Sequence, residues 1–132
     1  MPTQEITLEN AGTRITFTWR KDRYTHRVET PRGALAAAEH PEIETPVYTE
    51  LHRQGDLTFL SGLSDDRHWS LSLEPSEAGF RCDAAVRARS PMTRVGSVYR
   101  SEQGHTTHEA DGPFDDAPLT ARWGYLLGGE SP

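Results

Sequence analysis

The chain has 132 residues, 34% hydrophobic and 26% charged, with a formal net charge of −6 and a single cysteine. That length suits one domain with one sizeable core. The acidic balance argues against broad binding to a phosphate backbone, which needs a basic footprint, and a lone Cys82 excludes an intramolecular disulfide.

Taken in chain order, the side chains alternate. Successive side chains on a strand point to opposite faces, so apolar–polar alternation marks a strand with one wet face. Residues 3–9 place Ile6 and Leu8 on one side, and Asn10-Ala11-Gly12 is a turn signal. Residues 13–20 turn Ile15, Phe17 and Trp19 inward. After Lys21-Asp22, residues 23–30 group Tyr24, His26 and Val28. These runs read as a meander of short hairpins. Pro31, Pro41 and Pro46 then break the rhythm, and residues 33–40 (GALAAAEH) read as one short helix, because Ala and Leu are good helix formers.

Strands resume at 47–53, 56–61 and 67–74, the last with Trp69, Leu71 and Leu73 on one face. Residues 79–90 are the most regular run: Phe80, Cys82, Ala84, Val86 and Ala88 alternate with Arg81, Asp83, Ala85, Arg87 and Arg89. A further strand covers 93–100. Residues 101–118 (SEQGHTTHEADGPFDDAP) lack periodicity and read as a long polar loop. Residues 119–127 align Ala121, Trp123, Tyr125 and Leu127, and 128–132 read as a frayed tail. The N-terminal MPTQEITLEN has no basic region followed by an apolar run and is not expected to act as a signal peptide, and no apolar stretch approaches the roughly 20 residues of a membrane span. The expectation is a cytoplasmic protein with no membrane contact.

The expected architecture is one all-β domain over residues 1–132: an antiparallel up-and-down meander of eight or nine strands, closed into a barrel or strongly curved sheet, with one short helix. A β-sandwich is the alternative.

Five constellations bear on function. Trp19, Tyr24, Trp69, Phe80, Trp123 and Tyr125 fall on inward faces, as a packed core or as a barrel interior holding an apolar or flat ligand. His26 lies on the same kind of face, as a satisfied core residue or as the polar group that orients a bound molecule; an axial haem ligand is a third role open to it. Tyr48, Glu50 and His52 share a strand face, where an acid beside an imidazole suits acid–base or metal chemistry but is by default a solvated face. His105 and His108, with Glu109, Asp111, Asp115 and Asp116, form a polar loop able to capture a divalent cation, without the spacing of a scaffolded metal site. Arg81, Arg87 and Arg89, followed by Arg94 and Arg100, form a stripe that could clamp an anionic partner or single-stranded nucleic acid, or pair with Glu74, Asp83 and neighbouring acids. No nucleophile–base pair or metal spacing stands out, so no catalytic residue, metal ligand or cofactor is assigned.

HWSLSLEP (residues 68–75), the long strand after Gly79, VGSVYR (residues 95–100) and TFTWRKDRYTHRVE (residues 16–29) together resemble a group of small bacterial proteins of planctomycete type, for which no activity is implied. In length and strand rhythm the chain is also similar to lipocalin-like and fatty-acid-binding-like barrels, although the Gly-x-Trp entry motif of lipocalins is absent.

The residues therefore point first to a barrel that binds a small apolar or aromatic ligand through Trp19, Tyr24, His26, Trp69, Phe80 and Trp123, with 101–118 as a lid. The alternative is a protein–protein interaction module using the Arg-rich strand face. An edge strand would serve a homodimer, and nucleic acid is not an expected partner.

Overall fold

The computed structural model describes residues 5–128. They form eleven strands: β1 (Glu5–Asn10), β2 (Thr13–Arg20), β3 (Arg23–Thr30), β4 (Gly33–Ala38), β5 (Glu50–Gln54), β6 (Leu57–Ser64), β7 (Arg67–Ser76), β8 (Gly79–Ala88), β9 (Gly96–Ser101), β10 (Gly104–Glu109) and β11 (Leu119–Gly128). Among the described residues no helix is long and apolar enough to cross a membrane.

Two antiparallel sheets result. One has the order β1-β2-β3-β4-β9-β10 and the other β11-β8-β7-β6-β5. β1–β4 and β5–β8 are meanders of tight hairpins. β9 then returns beside β4 and β11 beside β8, so the order is not up-and-down throughout. Ile15, Phe17 and Val28 of the first sheet share one buried cluster with Leu60, Trp69, Leu71, Phe80, Val86 and Trp123 of the second. The two sheets thus share one core.

No closed barrel forms, which corrects the first expectation. The chain leaves the first sheet after β4, and residues 39–49 carry it to the second. Continuous pairing stops there, leaving only isolated bridges such as Tyr24 with Tyr48. The strand count also exceeds eight or nine, because two segments pair where none was expected. The 33–40 helix is strand β4 instead. The segment is too short to sustain a helix by itself, and β4 finds strand partners on both sides: Gly33–Ala36 with Thr30–Arg27, and Ala36–Ala38 with Arg100–Val98. The 101–118 loop is shorter than expected: Ser101 ends β9, and the polar run GHTTHE is the edge strand β10, paired along β9. Gly128 belongs to β11, and the rest of the tail at 129–132 lies outside the described residues, as do positions 3 and 4 of the first expected strand.

Candidate functional site

The first sheet parts locally. β3 pairs with β4 only from Thr30 back to Arg27. β4 then stays with β9, while Tyr24 turns instead to the 39–49 connection and donates its backbone N–H to the Tyr48 carbonyl at 2.8 Å. A cleft of about 680 Å³ opens at this parting. Tyr24, Thr25 and His26 line one side, Ala37, Ala38 and Val98 the other, and Tyr48, Tyr99 and Tyr125 the inner end. The small side chains of Ala37 and Ala38 leave the space that bulkier residues would fill.

The turn of Tyr48 toward the interior has a local cause. Thr49 N–H bonds the Ser61 carbonyl at 2.8 Å, while Glu50 is the register partner of that same Ser61. Two residues thus stand opposite one, as in a β-bulge, and the alternation slips. Glu50 and His52 face solvent, whereas Tyr48 is only 5% exposed. The neighbouring strand accommodates this approach with Gly62, where an added Cβ would overlap the Val47 carbonyl oxygen.

A chain of polar side chains runs behind the cleft. His26 Nε2 lies 2.8 Å from Tyr99 Oη, and Tyr99 Oη lies 2.9 Å from Tyr125 Oη. Trp123 Nε1, which can only donate, reaches Ser97 Oγ at 2.9 Å. His108 of β10 stacks on Tyr125, with ring centroids 4.5 Å apart and planes 11° from parallel. Burial lowers the His26 pKa to about 4, so the imidazole is neutral at pH 7. Burial also raises the pKa values of Tyr48, Tyr99 and Tyr125, which keeps all three phenols protonated. Among the described residues the buried Tyr48 hydroxyl has no hydrogen-bond partner. A buried unsatisfied hydroxyl costs roughly 1–3 kcal/mol.

The rim is charged. Arg20, Lys21, Asp22 and Arg23, at the β2–β3 hairpin, line it on one side, and Glu39 and Arg100 line it on the other. Arg23 is held by Asp22, with Nε 3.0 Å from the nearer carboxylate oxygen.

Of the six residues expected to bind a ligand, Tyr24 and His26 line this cleft. Trp69, Phe80 and Trp123 are packed into the core, where the Trp69 and Trp123 rings meet edge to face at 6.5 Å. Trp19 is 38% exposed on β2, its ring set edge-on to Tyr24 at 5.1 Å. Ser97 and Tyr99 were not among the candidate site residues, and Tyr48 and Arg100 were candidates only in other constellations. Each lies on a strand expected from the sequence or beside one, but strand order, which alternation does not give, brings them together.

No family model, curated protein or solved structure matches this chain.

The remaining constellations disperse. Arg81 pairs with Glu74 and Asp83, and Arg94 with Glu109 at 2.8 Å, so two of the five arginines of the stripe meet neighbouring acids. His105 and His108 lie on β10 rather than in a loop, and among the described residues no group of three or more His, Cys, Asp or Glu side chains is placed to hold a metal ion. Cys82 is buried, and burial raises its pKa, which leaves an inert thiol.

Proposed function

We propose that this protein binds a small, flat molecule in the cleft between β3 and β4. The observation that carries this reading is the cleft itself, large enough for a ligand and lined by Tyr48, whose hydroxyl is buried and has no protein partner among the described residues. Cavities of this size, with aromatic walls and a few convergent polar groups, are typical of small-molecule sites. The bound molecule presents a hydrogen-bonding group toward Tyr48 and lays its flat face along Tyr24 and Pro46. His26, Tyr99 and Tyr125 satisfy one another, so they shape and stiffen the wall rather than contribute unsatisfied donors.

The test is a panel of planar aromatic alcohols, amides and acids, read by tryptophan fluorescence and thermal shift. A ligand that binds only the native state must raise Tm. The expected result is saturable one-site binding by members of the panel, weakened about tenfold or more by Tyr48→Phe and abolished by Ala38→Leu, which fills the cleft. Binding unaffected by both substitutions, or no binding across the panel, contradicts the reading.

A further inference from the structure

The rim of the cleft departs from the charge of the chain as a whole. The protein is acidic, with a net charge of −6. Four cations, Arg20, Lys21, Arg23 and Arg100, line the cleft against two carboxylates, Asp22 and Glu39. Arg23 answers Asp22 through Nε at 3.0 Å and Nη2 at 3.3 Å, and it is also the cation that Glu39 acts upon. Among the described residues, Arg20, Lys21 and Arg100 have no ion-pair partner. The in-register neighbours of Arg100 are Ala36 and His105, neither of them a carboxylate.

The cations also stand on opposite sides of the parting. Arg20 and Lys21 belong to the β2–β3 hairpin, and Arg100 belongs to β9 beyond β4. A group at the mouth of the cleft therefore has positive charge on both flanks. The inner end offers the reverse: a neutral imidazole and three protonated phenols, with no full charge.

We propose that the molecule bound in the cleft is an amphiphilic anion, a planar neutral body with one acidic group, its acid held at the rim by Arg20 and Arg100 with Lys21 beside them. This inference rests on the cleft reading given under Proposed function and assigns the ligand its charge and orientation. Guanidinium groups suit a carboxylate, sulfonate or phosphate equally through paired N–H donors, so the shared chemistry is an oxyanion. Because the rim is exposed, salt screens the attraction.

Two fluorescent compounds of one skeleton test it: 8-anilinonaphthalene-1-sulfonate and its neutral counterpart N-phenyl-1-naphthylamine. At low salt the sulfonate is expected to bind at least about fivefold tighter, the order of one exposed ion pair. The double variant Arg20→Gln, Arg100→Gln should bring the two affinities together by weakening the sulfonate alone, with Tm unchanged. Added salt should weaken the sulfonate and not the neutral compound. Equal affinity in the wild type, or a preference that survives the double variant, overturns the proposal and leaves the cleft reading standing. Binding of either compound that survives Ala38→Leu, or no saturable binding of either, overturns the cleft reading and the proposal together.

Discussion

His26 Nε2 lies 2.8 Å from the hydroxyl of Tyr99, 73 positions further along the chain, and the bond joins β3 to β9 behind the strand that separates them in the sheet. The link fixes the two walls of the cleft relative to each other. It also ties the site to pH.

His26 has an ordinary pKa of 6.5 and a folded one of about 4, lowered by burial. The unfolded chain takes up a proton that the fold refuses. The stability held at neutral pH is thus complete above about 6.5 and is lost as pH falls, up to roughly 3 kcal/mol by pH 4. Urea denaturation from pH 7 to pH 4 should show this loss. His26→Gln should cost stability at pH 7 and show a smaller loss on acidification, so the gap between the two proteins narrows toward pH 4. Parallel curves would rule out His26 as the titrating group.

Arg67 fastens the connection that carries Tyr48. Its guanidinium bonds both carboxylate oxygens of Glu44, at 2.9 and 3.1 Å, and reaches Ser90 Oγ at 2.7 Å; Asp66 is a further partner. Arg67→Ala should lower stability by about 2 kcal/mol, and Arg67→Lys should recover little of it, because an ammonium cannot reproduce the bidentate fork. Full rescue by lysine in equilibrium denaturation would show that charge alone matters there.

Gly62→Ala places a methyl group where the Val47 carbonyl lies. Backbone must move, and the residue displaced is the immediate neighbour of Tyr48. A loss of about 2 kcal/mol or more is expected. Ligand affinity should fall with it, measured at a temperature where the variant is fully folded. Unchanged affinity would separate this approach from the geometry of the site.

Cys82 sits on the buried face of β8, with its pKa raised chiefly by burial. Iodoacetamide at pH 8 should leave it unmodified in the folded protein and alkylate it once urea unfolds the chain. Rapid labelling of the native protein would contradict the packing described for this face.

Much of the fold was legible because most strands have one wet face. β2, β7, β8 and β11 repeat with period two, and their inward residues are the core. β10 was not legible because an edge strand with little burial has no apolar row to betray it; GHTTHE is almost wholly exposed. β4 was misread because an alanine-rich run carries a helical preference, which partners on both sides override. Of the aromatic residues read as inward, Trp69, Phe80, Trp123 and Tyr125 are buried, Tyr24 is half-buried and Trp19 is exposed, and alternation does not tell a packed ring from one beside a space. Trp69 and Trp123 fill the core, and the cleft depends on a bulge at Thr49–Glu50 and on two strands parting after Ala36. Neither leaves a periodic mark in the sequence.

The most direct test is Tyr48→Phe, measured twice. In the ligand-free protein, removing a buried hydroxyl that has no protein partner should leave stability unchanged or raise it by about 1 kcal/mol in urea denaturation. For a ligand identified with the wild type, the same substitution should weaken binding by about tenfold. A variant at least as stable and yet poorer at binding is what a ligand-directed hydroxyl predicts. A variant that loses stability while binding the ligand as tightly as before would make Tyr48 a structural residue and contradict the account of the site.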